Sequence, residues 1–204
     1  MTAVRLDPSV HPSGDVHTVA VAQIEPQAWR NGGGVTQELL AWPAQDWQLR
    51  ISVARIEKGG PFSAYPGVER WFAVVQGEGV VLRFANRRVM LGAGSEPVRF
   101  EGASAPDCDL LGGPTQDLNL MTRRDAGRGA VLLARAGEEW VSTARVRAVF
   151  TAEAAVLRID GIDAATLPEG TLAWRDDAGH QRWSLSPGAA PARAWWLQFK
   201  PKSP

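Results

Sequence analysis

Two arginines in the first half of the chain have the chemistry to bind an anion. The stretch Trp47–Ile56 alternates between apolar and other residues, as a β-strand with one buried face does. Arg50 and Ser52 therefore share one face of this strand. If that face lines a barrel, the guanidinium can bind a carboxylate through two parallel hydrogen bonds. The commoner alternative is the solvent face of an antiparallel sheet, where Arg50 would be an ordinary surface residue.

The stretch from Gly60 to Gly77 has the spacing of a metal-binding motif but lacks its ligands. In a cupin barrel, His-x-His follows the first glycine after five residues, and a glutamate precedes the last glycine by six. Here the histidine positions hold Pro66 and Val68, and the glutamate position holds Arg70. We therefore expect no metal and no cofactor. Arginine in place of glutamate would turn a cation site into an anion site, whereas the alternative for Arg70 is a surface residue beside a turn.

Catalytic chemistry has weaker support in the sequence. No G-x-S-x-G motif is present, and the three histidines have no mutual spacing for a metal. Cys108 lies between two aspartates, whose charges would raise rather than lower the pKa of its thiol. Glu38, Glu69 and Asp117 remain available as general bases. A cofactor-free isomerase or hydrolase is therefore kept as an alternative function.

Composition excludes several classes of partner. Lysine and arginine together number 22 and are balanced by 22 acidic residues, interspersed along the chain. This pattern gives no basic surface for nucleic acid or an anionic membrane. A single cysteine and the absence of an apolar leader or membrane-length run predict a soluble, cytoplasmic protein.

Glycine and proline separate short apolar runs along most of the chain, which is typical of an all-β sandwich or barrel. We predict strands over residues 18–24, 35–42, 47–56, 70–76, 80–84, 89–91 and 100–102. The segment 105–124 is polar and is predicted to be a long surface loop. Three glycines after Asn31 are predicted to form a structural turn rather than a phosphate-binding loop, because no Lys-Ser/Thr follows.

The C-terminal part repeats the plan of the first part weakly. The run Val81–Phe84 is echoed by Val156–Ile159, and the offset stays near 75 residues through the turns that follow. We predict an N-terminal arm over 1–17, a first cupin-like barrel with the ligand pocket over 18–125, and a second, structural barrel over 126–204. Several tryptophans in the last part favour packing over an open site.

Four ordered blocks of the chain resemble the HutD/Ves family of bacterial proteins. They are Trp29–Glu38 (W-R-N-G-G-G-V-T-Q-E), Arg50–Ala54, the group Gly60–Ser63 with Pro66-Gly67 and Arg70, and the group Gly113-Pro114 with Asp117–Met121 and Arg123. The resemblance implies a metal-free double cupin (bicupin), a double-stranded β-helix of jelly-roll type. It also implies an association with histidine utilisation, in which non-catalytic members tune the pathway by sensing an intermediate such as urocanate or N-formylglutamate.

We therefore expect a regulatory protein that binds a small carboxylate rather than an enzyme. The two arginines would hold the carboxylate, smaller polar residues would add hydrogen bonds, and Phe62 would close an apolar wall. The segment around Asp117 would order a loop over the mouth. Two alternatives remain: a protein that only contacts another protein, and a homodimer formed through a strand edge. The expected site residues are Asn31, Thr36, Glu38, Arg50, Ser52, Phe62, Arg70, Asp117, Asn119 and Arg123.

Overall fold

The computed structural model describes residues 15–135, 137–177, 179–187 and 193–202. Eleven strands precede residue 125: β1 His17–Ala20, β2 Gln27–Ala28, β3 Gly34–Trp42, β4 Leu49–Ile56, β5 Gly60–Pro61, β6 Val68–Gln76, β7 Val80–Arg83, β8 Arg88–Leu91, β9 Val98–Glu101, β10 Asp107–Leu110 and β11 Thr115–Arg123. Eight follow it: β12 Gly127–Ala134, β13 Trp140–Val141, β14 Val146–Thr151, β15 Ala155–Ile159, β16 Ile162–Leu167, β17 Thr171–Asp176, β18 Arg182–Pro187 and β19 Ala194–Pro201. Short 3₁₀ turns occupy Val21–Gln23 and Gly102–Ser104.

The first barrel consists of two antiparallel sheets packed face to face. One has the strand order β2-β3-β4-β11-β6-β9, and the other has the order β5-β10-β7-β8. Phe72 and Val74 of β6 pack against Leu82 of β7 and Cys108 of β10. These apolar side chains fill one part of the barrel, because alternate residues of each strand point inward.

The second barrel repeats this design. Its large sheet has the order β1-β17-β14-β19-β12, and its small sheet has the order β13-β18-β15-β16. The hairpin β15-β16 occupies the place that β7-β8 has in the first barrel, which is the repeat that the sequence echo predicts. Trp183 and Trp196 are buried between the two sheets; Trp196 stacks on Trp140, and Trp183 meets both of these rings edge-on.

The large sheets of the two barrels pack back to back around one shared core. Ile51 of β4 and Leu120 of β11 contribute to it from the first barrel, and Phe150 of β14 and Trp195 of β19 contribute from the second. All four side chains are completely buried. The all-β fold with two barrels agrees with the sequence prediction. No helix in the described ranges is long and apolar enough to cross a membrane.

The segment 105–124 is where the sequence prediction fails. It is not a surface loop, because β10 and β11 occupy most of it, and β11 pairs with both β4 and β6. The polar residues Asp117 and Asn119 alternate with Leu118 and Leu120. Their side chains face the interior of the first barrel instead of water. The polar residues of this segment therefore line the inside of the barrel and do not indicate a surface loop.

Strand β1 also departs from the division of the chain drawn from sequence. The sequence predicts that residue 18 begins the first barrel. In the structure, Thr18 pairs with Ala173 of β17, in the large sheet of the second barrel. Val19 is 3% exposed and joins the shared core. Most of the predicted N-terminal arm, including His11, lies outside the described residues.

Candidate functional site

A cavity of about 510 Å³ lies inside the first barrel, between its large sheet and the segments at residues 27–31 and 61–65. Exposed residues, among them Gln27 and Arg30, form its rim. Seven of the ten residues expected at the site line this cavity: Asn31, Thr36, Arg50, Ser52, Phe62, Arg70 and Asn119. Two arginines predicted from separate patterns therefore meet in one pocket.

The alternation of β4 brings Arg50 and Ser52 into the cavity. Ile51 and Val53 point the opposite way into the shared core, where each is at most 1% exposed. The Arg50 Nε atom donates to Glu38 Oε2 at 2.6 Å, from the neighbouring strand β3. The charge of Arg50 is therefore already balanced by a carboxylate of the chain, and Glu38 acts as the partner of Arg50 rather than as a lining residue.

Arg70 differs from Arg50 because no carboxylate of the described residues pairs with it. The residue is 7% exposed, and its guanidinium donates to the backbone oxygen of Ser63 at 3.2 Å and to Asn119 Oδ1 at 3.3 Å. Its Nε atom has no hydrogen-bond partner in the part of the chain that the structure describes. The rings of Phe62, Tyr65 and Phe100 surround the guanidinium, with centroids 5.3, 5.7 and 5.1 Å from its central carbon.

Burial sets the protonation behaviour of Arg70. Loss of hydration lowers the pKa of its guanidinium to about 10, while Tyr65 acts to raise that pKa and Arg50 acts to lower it. The side chain therefore keeps its positive charge at neutral pH. A buried cation without a counter-ion is costly, and an anion in the cavity would relieve that cost. Three aromatic faces reduce the cost only in part.

Smaller polar groups complete the wall of the cavity. Asn119 and Ser52 are partners across β11 and β4, so they lie side by side next to Arg70. The Asn119 amide nitrogen makes only a 3.5 Å contact with the Asp117 backbone oxygen, which leaves it able to donate to a ligand. The Thr36 hydroxyl instead accepts a 2.7 Å hydrogen bond from the Trp29 indole.

The glycine-rich segment after Asn31 forms a structural turn, as its sequence predicts. Asn31 Oδ1 accepts a hydrogen bond from the Gly33 backbone at 3.0 Å, which closes a turn. Gly32 has a φ of 66°, and a side chain on Gly34 would meet the Arg55 backbone oxygen at 2.2 Å. Only glycine allows β3 to approach β4 this closely.

Asp117 lies deeper in the barrel, outside the cavity lining. It is 0% exposed, and its Oδ2 atom accepts a 2.8 Å hydrogen bond from Thr115, while Oδ1 has no partner in the described ranges. Burial raises the pKa of the Asp117 carboxyl to about 8, against a lowering by the Thr115 hydrogen bond. Burial, with Asp117 nearby, also raises the pKa of Cys108 to about 12, so the thiol is not an activated nucleophile.

Arg123 lies away from the site. It forms ion pairs with Asp46 at 2.7 Å and Asp125 at 3.0 Å, beside a separate surface cleft lined in part by Pro66 and Arg124. Both aspartates raise the pKa of Arg123, with Asp125 first, so its charge is satisfied there. It cannot order a loop over the cavity, because its segment is a strand.

Sequence reasoning missed several residues around the arginines. Tyr65 and Phe100 surround Arg70 but come from a loop and from the edge strand β9, and no local pattern links them to it. Met121 could have been found, since it continues the alternation of Asp117 and Asn119. The other missed lining residues include Trp29, Arg30 and Phe72.

Comparison with known proteins identifies the family of the chain. A family model described as HutD matches residues 21–190. Over 109 residues the chain is 38% identical to Protein Ves of Citrobacter koseri, covering 52% of this chain and 57% of that protein. Over 102 residues it is 35% identical to an uncharacterized 21.2 kDa protein in the hutC 3′ region of Pseudomonas putida, covering 46% and 50%. The chain thus spans about half the length of these two relatives.

Solved structures match the fold over nearly the whole chain. HutD from Pseudomonas fluorescens, crystallised in a formate condition, has a TM-score of 0.79 at 23% identity, covering 92% of this chain and 100% of that one. A variant of Bacillus subtilis oxalate decarboxylase has a TM-score of 0.63 at 9% identity, covering 97% and 81%. These likenesses establish a cupin-like β fold. With the family model covering most of its length, the chain belongs to the HutD/Ves family.

Proposed function

We propose that the cavity of the first barrel binds a small carboxylate, and that the protein uses this binding to tune histidine utilisation. The observation that carries the proposal is Arg70, a buried guanidinium with no carboxylate partner among the described residues. Arg50 is neutralised by Glu38, so Arg70 is the buried uncompensated charge in the wall, while Arg30 is exposed at the rim. The family and the relative in a hut region support the link to histidine utilisation.

The surrounding groups suit a planar carboxylate. A bound oxygen would accept from Arg70, and the Asn119 amide and Ser52 hydroxyl lie beside it as further donors. Phe62 and Tyr65 supply apolar walls for the rest of the ligand. Urocanate and N-formylglutamate both carry carboxylates, and a cavity of about 510 Å³ has room for either.

Calorimetry and thermal shift with both compounds test the proposal directly. We expect stoichiometric binding and a raised unfolding temperature. Arg70→Gln should weaken binding by about 10- to 100-fold, because it removes a hydrogen bond to a charged group. Arg123→Gln is the matched control, because Arg123 is ion-paired beside a separate surface cleft. The affinity of this variant for both compounds should equal that of the wild type.

Two results would contradict this function. If neither compound binds the intact protein, or if both arginine variants bind as the wild type does, the cavity is not a carboxylate site. NMR of the same mixtures tests the enzymatic alternative, since conversion of either compound that is lost in Glu38→Gln would favour an isomerase or hydrolase. Against that alternative, Glu38 is held by Arg50, and Asp117 does not line the cavity.

A further inference from the structure

The second barrel also buries an arginine on the strand equivalent to β6, although Arg147 lies four residues before the end of its strand and Arg70 six residues before the end of β6. Arg147 lies on β14, which runs between β19 and β17 as β6 runs between β11 and β9. Its side chain is 0% exposed and points into the barrel, where its central carbon lies 5.5 Å from the Trp183 ring centroid. Each barrel therefore buries a guanidinium on equivalent strands, against three aromatic rings in the first barrel and against Trp183 in the second.

The polar partners of the two arginines also correspond in kind. Arg70 donates to the amide oxygen of Asn119 and to a loop carbonyl, that of Ser63. Arg147 donates to the amide oxygen of Gln181 at 2.6 Å and to a loop carbonyl, that of Asp177, at 3.1 Å. One amide oxygen and one backbone oxygen thus contact each guanidinium.

The difference between the barrels is a carboxylate. Asp177 Oδ1 lies 2.5 Å from Arg147 Nη2, and its second oxygen lies 2.7 Å from Arg175 Nη2. Arg70 has no such partner in the ranges that the structure describes. Gly179 presses close to the same guanidinium, since an added side chain there would come within 2.8 Å of Arg147 Nη2. In the second barrel, Asp177 and Gly179 thus cover the guanidinium of Arg147.

We propose that the second barrel holds a carboxylate-binding site that the chain fills with Asp177. The Asp177 carboxylate takes the place on Arg147 that an external carboxylate takes on Arg70. The comparison with Arg70 rests on the proposed function. The contacts of Arg147 with Asp177 do not depend on it. The intact protein accordingly binds one external carboxylate per chain, and removing the Asp177 side chain opens a second site for a small monocarboxylate such as formate.

Chemical rescue tests this in the background Arg70→Gln, which removes the first site. Adding Asp177→Ala should lower the unfolding temperature by on the order of 10 °C, because a buried guanidinium loses its counter-ion. Sodium formate should then restore part of that loss with a saturable concentration dependence, whereas sodium chloride at equal ionic strength should not. The parent Arg70→Gln protein should show no saturable response to formate.

Two further variants make the test specific. Asp163→Ala removes an exposed aspartate of the same barrel, 2.6 Å from Arg158, and should show no formate rescue. Combining Arg147→Met with Asp177→Ala removes both partners and should abolish the rescue. Equal responses of Asp177→Ala and Asp163→Ala, or rescue that persists without Arg147, would overturn the proposal.

The rescue experiment still decides the proposal if the Asp177→Ala protein does not fold. If the Asp177→Ala protein is recovered unfolded, it should refold in formate and not in chloride, followed by near-ultraviolet circular dichroism of its tryptophans. Absence of refolding in formate would refute the second site. The proposed function fails separately, namely if a chain with Arg70 intact binds no carboxylate while the Asp177→Ala rescue is still observed.

Discussion

Among the described residues, two arginines and one aspartate are buried in the barrels, and each is accommodated differently. Arg147 has an internal carboxylate, Arg70 has aromatic rings and two weak acceptors, and Asp117 has one hydroxyl partner. Burial disfavours the charged form of each group unless a counter-ion is present. An arginine cannot shed its proton at neutral pH, whereas a carboxyl can take one up. Arg70 is therefore the buried group that an external anion would stabilise.

Asp117 should make stability depend on pH. Its pKa is about 8 in the folded protein, against an ordinary value of 3.8, so the folded state holds one more proton between those values. Its contribution to stability is complete below the unfolded pKa and is lost as pH rises through the folded pKa. The free energy of unfolding should fall by up to about 1.4 kcal/mol per pH unit within that window.

Urea unfolding of Asp117→Asn across the same pH window checks this prediction. An amide resembles the protonated carboxyl in size and cannot ionise, so the slope should flatten relative to the wild type. Asp163→Asn, on the exposed strand β16, should keep the wild-type slope. If the slope is unchanged in Asp117→Asn, another group governs the pH dependence.

The arginines could be predicted from sequence, but their surroundings could not. Alternation in β4 and the spacing between Gly60 and Gly77 identified Arg50 and Arg70, because both are local patterns. The Glu38 ion pair depends on strand register, and the aromatic rings around Arg70 come from distant segments. Those contacts exist only once the barrel is closed.

At the scale of elements, β4 and β11 carry the site and their register aligns it. Ser52 pairs with Asn119 and Arg50 pairs with Met121, while Arg70 of β6 faces Met121 from the other side. A shift of one residue would turn all of these side chains toward the shared core. The polarity of Asp117 and Asn119 favours a surface loop in the sequence, whereas both lie on β11 and only Asn119 lines the cavity.

Gly34 should be sensitive to the smallest substitution. In Gly34→Ala the new methyl group would meet the Arg55 backbone oxygen, so β3 would be pushed away from β4. We expect a loss of about 1 to 3 kcal/mol in the free energy of unfolding, measured by urea denaturation. The matched control is Gly60→Ala in β5, where nothing lies within 4 Å of the added atom. Equal losses in both variants would argue against this close approach as the cause.

At the scale of the whole molecule, two barrels share one core. The back faces of the large sheets contribute completely buried side chains from both halves, including Ile51, Leu120, Phe150 and Trp195. The repeat could be seen in sequence because both hairpins retain their apolar runs. The shared core could not, because alternation in β4 and β11 shows that one face is apolar but does not say which element covers that face.

The shared core should make both barrels unfold together. Differential scanning calorimetry should show one transition, with calorimetric and van't Hoff enthalpies in agreement. Phe150→Ala, on the side of the second barrel, should lower the stability of the whole chain by about 3 to 5 kcal/mol and keep a single peak. Two separated peaks in either protein would show that the barrels are independent.

The pairing of β1 with β17 has a consequence for synthesis of the protein. Thr18 leaves the ribosome early, but its partner Ala173 follows about 150 residues later. At about 5 to 20 residues per second, β1 waits on the order of ten seconds or more for its place in the sheet. The apolar Val19 must stay exposed or be held by other contacts during that time. Folding of the nascent chain is thus completed only when most of the second barrel has been made, even though the carboxylate cavity lies in the first.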